Sequence, residues 1–120
     1  MTDRIVHVID DDEAMRESLA WLMAPLGLSV RAYASAIAFL SEWSPDIAGC
    51  IVTDVRMPGM SGLELTDELS RRHSLLPVIV ITGHGDVPQA VRAMRSGAID
   101  FIEKPLDNQV LIERIEEALR

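Results

Sequence analysis

The sequence predicts an α/β protein: a single doubly wound, five-stranded parallel sheet made of βα repeats across residues 1–120. Three observations carry that prediction. Five short apolar runs, Ile5–Ile9, Leu28–Tyr33, Cys50–Thr53, Val78–Thr82 and Ile99–Ile102, begin 23, 22, 28 and 21 residues apart. A hairpin needs only a few linking residues, whereas a parallel crossover needs a dozen or more, usually wound as a helix. The intervals between the runs carry helical spacing or helix-start signals. The first, third and fourth runs are nearly continuous in Val and Ile, as strands covered on both faces are. Right-handed crossovers then put helices on both faces of the sheet.

Each element follows in turn. After the first strand, Met15, Leu19, Leu22, Met23 and Leu26 keep the rhythm of one helical face. Gly27 stops that helix, and Pro25 kinks or ends it near Ala24 by removing a backbone donor. The second run alternates more than the others, which suits an edge strand. Ser35 caps a second helix that buries Phe39, Leu40 and Trp43 and closes at Pro45. Ser61 with Glu64 forms a capping box for a third helix carrying Leu65 and Leu69. Asp86, with Pro88 in the first turn and Gln89 behind it, opens a fourth helix that runs to Gly97. Asp107 caps a fifth, with Leu111, Ile115 and Leu119 on its buried side.

Composition narrows the class. The 11 basic and 19 acidic side chains leave a net charge of −8. That balance argues against direct nucleic-acid binding, which needs a basic patch. A lone cysteine, Cys50, excludes an internal disulfide and a multi-cysteine metal site. No apolar run is long enough for a signal-peptide core or a membrane span, so the expected compartment is the reducing cytoplasm.

The polar exceptions to the pattern gather at one kind of place. Run one ends in Asp10-Asp11-Asp12-Glu13, run three at Asp54, run four at Thr82, and run five is followed by Glu103-Lys104-Pro105. In an open parallel sheet these strand ends share one edge, where ligands bind. Helix capping accounts for one or two of the first acids, but not for four in a row beside a further acid. Like charges held close repel unless a cation intervenes. Carboxylates without histidine or thiolate favour a hard cation such as Mg²⁺. An ionised carboxylate beside such a cation can attack a phosphoryl group, and Asp54 sits ahead of a Pro- and Gly-containing turn, Val55 to Gly62. A hydroxyl at Thr82 and an amine at Lys104 supply donors for phosphoryl oxygens. His7, His73 and His84 lack metal-ligand spacing, and Gly83-His84-Gly85 lacks a phosphate-loop pattern.

Four segments together carry a resemblance: Val8-Ile9-Asp10-Asp11-Asp12, Thr53 to Gly62, Ile81-Thr82-Gly83-His84-Gly85-Asp86 and Phe101-Ile102-Glu103-Lys104-Pro105. On these the chain resembles a response-regulator receiver domain of two-component signalling, most closely the FixJ subgroup, over essentially its whole length. The resemblance implies a flavodoxin-like strand order 2-1-3-4-5. It implies Asp54 as phospho-acceptor and metal ligand, with Asp11 contacting Mg²⁺ (or Mn²⁺) directly, Asp10 mainly through water, and the Arg56 backbone carbonyl as a third ligand. Lys104 would grip the phosphoryl group, and Thr82 and Phe101 would switch together. Its implied partners are a sensor histidine kinase and a second copy of the chain in a phosphorylation-promoted homodimer, with no membrane. DNA would be reached only through a C-terminal helix-turn-helix domain absent here, so the chain is a single-domain regulator or an excised fragment. The implied role is that of a phospho-acceptor signalling domain, not an enzyme, which catalyses only its own phosphoryl transfer and slow dephosphorylation.

Two other functions share the fold class. A flavin or nucleotide binder would need a Ser/Thr/Gly-rich loop after the first strand, where Asp11-Asp12-Glu13 stands instead. A dehalogenase-type phosphatase also uses an aspartyl nucleophile, but usually carries a second aspartate where Arg56 stands.

Overall fold

The computed structural model describes residues 4–83 and 86–120. Met1, Thr2 and Asp3, and His84 and Gly85 of the third motif, lie outside the described residues. Five strands, β1 (Ile5–Ile9), β2 (Ser29–Tyr33), β3 (Cys50–Asp54), β4 (Val78–Thr82) and β5 (Asp100–Glu103), alternate with α1 (Glu13–Met23), α2 (Ala36–Leu40), α3 (Gly62–Arg71), α4 (Val87–Arg95) and α5 (Asn108–Ala118). The sheet order is β2-β1-β3-β4-β5, and every pairing is parallel. The alternating second run is an edge strand, as its pattern predicts. β3 and β4, the near-continuous apolar runs, are buried along their whole length.

The two faces of the sheet carry separate cores. Val6, Val8, Val52, Ile79 and Ile81 pack with Leu19 and Met23 of α1 and Leu111 and Ile115 of α5. Ile9, Ile51 and Val80 pack on the opposite face with Phe39 of α2, Leu65 of α3 and Ala93 of α4. The period of two along each strand divides its side chains between these layers.

Local chemistry sets the helix limits. Pro25 ends α1 at Met23, and Ala24–Leu26 tightens into a 3₁₀ turn that Gly27 closes at φ 75°. The expected capping box is complete: Ser61 accepts from the Glu64 amide, and Glu64 accepts from the Ser61 amide. Asp107 caps α5 as expected, accepting from the amides of Gln109 and Val110.

Two expectations differ from the structure. The second helix stops at Leu40, well before Pro45, where the amides of Glu42 and Trp43 turn to the carbonyls three residues back, Phe39 and Leu40. Trp43 therefore lies beyond the helix, half-buried, with Nε1 donating to Ser74 and the Arg72 guanidinium 5.4 Å from its ring centre. Asp86 precedes α4 but makes no side-chain capping bond, because its carboxylate is engaged elsewhere.

Candidate functional site

All five strands run the same way, so their carboxyl ends form one edge of the sheet. Asp10 follows β1 there, and its amide continues the ladder by donating to the Tyr33 carbonyl at 3.1 Å. Asp54 is the last residue of β3 and pairs in register with Ile81. Thr82 ends β4, and the Lys104 amide donates to its carbonyl at 2.8 Å. The chain between Asp54 and α3 is closed by the Gly62 amide donating to the Val55 carbonyl at 2.9 Å. A Cβ at Gly62 would collide with the Asp54 carbonyl oxygen, so this turn requires glycine.

The acids divide by role. Asp12 caps α1 by accepting from the Ala14 amide, the ordinary task of an acid at that place. Asp10 is buried, with Oδ1 accepting from the Asp12 amide at 2.9 Å. Its backbone carbonyl accepts from Arg16 Nη1 at 2.7 Å. Burial raises the Asp10 carboxyl above the usual carboxylate range, and the nearby charges of Asp54 and Asp11 push the same way. Asp11 lies exposed at the rim.

Asp54 is 7% exposed and held at both oxygens. Oδ2 meets Lys104 Nζ at 2.8 Å, and Oδ1 accepts from the Arg56 amide at 3.1 Å. Burial works against the charge on Lys104, but its bond to Asp54 prevails and raises the ammonium above its ordinary value. The peptide bond from Lys104 to Pro105 is cis. Thr82 is fully buried, and its Oγ1 has no hydrogen-bond partner among the described residues. Phe101, on β5, is half-buried against the core layer that contains Val80 and Ala93.

Among the described residues, no three His, Cys, Asp or Glu side chains gather into a metal cage. The donors present are hard oxygens: the carboxylates of Asp10, Asp11 and Asp54 and the backbone beside Arg56. Such a sparse set fits Mg²⁺, which takes one or two protein carboxylates and keeps several waters. Buried acids that repel one another are a second mark of a place suited to a cation.

The remaining candidates are structural. His7 is buried, and its Nε2 donates to the Ala48 carbonyl at 2.8 Å. Nδ1 is then left to accept from the Tyr33 hydroxyl at 3.4 Å, while the ring meets Phe39 edge-on. Burial lowers the pKa of His7, keeping it neutral. His73 is exposed in the left-handed region at φ 56°. Burial pushes the Cys50 thiol up to about 12, so it is unreactive.

Sequence reasoning missed one contact. The Arg56 guanidinium forks onto Asp86, Nε to Oδ2 and Nη2 to Oδ1, both at 2.8 Å. The signal was available, because opposite charges follow the ends of two strands that the fold makes neighbours. Next to the site, Met15, Leu22, Lys104 and Leu106 line a cleft of about 420 Å³ between α1 and the segment leading to α5. On the far side of β5, Val87, Val91, Met94 and Ile99 expose an apolar strip.

The family model for the response regulator receiver domain matches residues 6–116. The chain is 58% identical over 114 residues to the transcriptional regulatory protein FixJ of Azorhizobium caulinodans, covering 95% of this chain and 54% of that protein. It is 53% identical to the FixJ protein of Rhizobium meliloti, covering 98% of this chain and 58% of that protein. The chain thus spans about half the length of the curated relatives it matches. The crystal structure of FixJ-N superposes with a TM-score of 0.91 at 52% identity, covering 98% of this chain and 94% of that one.

Proposed function

Because this chain belongs to the response-regulator receiver domains of two-component signalling, we propose that Asp54 is its phospho-acceptor, with a sensor histidine kinase as donor. The supporting observation is the arrangement at Asp54: a carboxylate at the sheet edge, bonded to Lys104, beside a strand that ends in a buried Thr82 hydroxyl with no partner among the described residues. Residues 1–120 act together as the receiver module in this reading.

An Asp54 carboxylate oxygen attacks phosphorus. The phosphorus–nitrogen bond to the kinase imidazole breaks, and its electron pair stays on that nitrogen, which regains a proton from solvent. Lys104 passes from the Asp54 oxygen to a phosphoryl oxygen. Asp11, Asp54, Asp10 through water, and the Arg56 carbonyl would hold Mg²⁺, with Mn²⁺ as a substitute. When bound, the cation offsets charge on the transferring group. Water later attacks phosphorus, returning the Asp54 carboxylate and inorganic phosphate. The domain is therefore a signalling element that catalyses only its own phosphorylation and slow dephosphorylation.

Attachment of phosphate puts new acceptor oxygens near Thr82. Its hydroxyl moves to them, and Phe101 turns into the vacated space. The surface of α4 and β5 around Val91, Arg95 and Ile99 then favours a homodimer. In the full-length regulator this change controls transcription through a helix-turn-helix domain, in the cytoplasm. Among the described residues no helix is long and apolar enough to cross a membrane.

The test is intact mass after incubation with acetyl phosphate and Mg²⁺. The parent should gain one phosphoryl group and Asp54→Asn none. Equal gain in both proteins would refute the assignment.

A further inference from the structure

The contact that sequence reasoning missed, Arg56 to Asp86, connects the turn after Asp54 to the start of α4. We propose that this ion pair is a latch holding α4 in its resting position, and that Arg56 releases Asp86 to grip the phosphoryl group once it is on Asp54. The proposal rests on the reading of Asp54 as phospho-acceptor.

Four observations support it. The pair is bidentate, with both bonds at 2.8 Å, the geometry that gives Arg–carboxylate contacts their strength and direction. It is unevenly covered: the Arg56 side chain is 71% exposed and that of Asp86 only 13%. Arg56 can therefore swing through solvent while Asp86 stays in place. The Arg56 amide already touches Asp54 Oδ1, so its side chain is anchored at the acceptor itself.

The fourth observation is the missing cap. Asp86 stands immediately before Val87 at φ −94° and ψ 32°, and its side chain accepts from no helix amide. Side chains cap α1, α2, α3 and α5. The carboxylate that should cap α4 is turned away onto Arg56, over Gly83, where an added Cβ would lie 3.3 Å from Oδ2. Freed from Arg56, it can take over the Gln89 amide, which now donates to the Asp86 backbone carbonyl at 3.1 Å, since Pro88 offers no amide.

The exchange follows from charge. A phosphoryl group on Asp54 carries more negative charge than one carboxylate and offers three acceptor oxygens. A guanidinium fork fits phosphate as well as it fits carboxylate. Moving Arg56 to the phosphoryl group therefore replaces one forked contact by a stronger one, and leaves Asp86 to complete the cap. Two discrete arrangements of one carboxylate make α4 a two-state element.

The test reads the Arg56 Nε–H signal by nitrogen-15 NMR of the whole chain, assigned by its loss in Arg56→Lys. In the resting parent it should exchange slowly, and in Asp86→Asn it should move and broaden. With acetyl phosphate and Mg²⁺ the parent signal should shift to a position shared by phosphorylated Asp86→Asn. A signal unmoved by Asp86→Asn, or unmoved by phosphorylation of the parent, overturns the latch. By sedimentation velocity, resting Asp86→Asn should self-associate about 5-fold more tightly than the parent, in the usual range of allosteric coupling; equal association overturns the coupling to α4. A parent that gains no phosphoryl mass refutes the Asp54 reading instead, and the resting comparison then decides the latch alone.

Discussion

Asp10 carries a charge that burial and its acidic neighbours oppose and that Lys104 and the Asp12 amide only partly offset. It is 3% exposed, and its charged form faces the charges of Asp54 and Asp11. Its folded pKa lies above the ordinary carboxylate value, so the ionised side chain opposes folding. That opposition is complete above the folded pKa and fades as pH falls toward the ordinary value. Asp10→Asn keeps the oxygen that accepts from the Asp12 amide and removes the charge. Without metal at pH 7 it should be more stable than the parent, by on the order of 1 kcal/mol. The advantage should shrink at pH 5 and on adding Mg²⁺, which should bind the variant more weakly. Urea unfolding at the two pH values, with and without Mg²⁺, measures this; a variant less stable than the metal-free parent at pH 7 contradicts it.

Elements were legible in the sequence where local chemistry decides them. The β1 and β4 limits match the apolar runs residue for residue, and the capping box of α3 was visible as Ser61 and Glu64. That box lies on an exposed helix end, so its loss leaves the core intact. Ser61→Ala should cost about 1 kcal/mol, the usual value of such a cap. The denaturation midpoint should fall with an unchanged slope; an unchanged midpoint would show that the box is dispensable. Less legible were elements whose ends depend on distant partners. α2 ended early where its ladder tightened at Glu42 and Trp43, and the Asp86 carboxylate that opens α4 went to a residue 30 positions earlier. The site divides the same way. Strand ends fixed the neighbourhood of Asp10, Asp54, Thr82 and Lys104, whereas the bond between Lys104 and Asp54 spans 50 residues and required the fold. That the Thr82 hydroxyl has no partner among the described residues was invisible too, since it is a property of packing.

At the scale of the whole molecule, the net charge of −8 opposes self-association, while the apolar strip from Val87 to Ile99 favours it. Phosphorylation should therefore shift the monomer–dimer balance partway, by an amount on the order of 1–3 kcal/mol. Added salt, by screening repulsion between like-charged copies, should strengthen the dimer. Sedimentation velocity with and without acetyl phosphate checks both, with Thr82→Ala as the uncoupled control. Equal dimerisation of the phosphorylated parent and control would remove Thr82 from the relay. The family membership leaves the flavin-binding and phosphatase readings of the same sheet without support.

The glycine against the Asp54 carbonyl has a consequence for inheritance. The space at Gly62 is closed by main chain, which no neighbouring side chain can vacate by turning aside. Even the smallest missense change there, to alanine, must displace the backbone that aims the Asp54 carboxylate. In a library scored for signalling, codon 62 should therefore be as intolerant as codon 54, although its own residue has no functional group to lose.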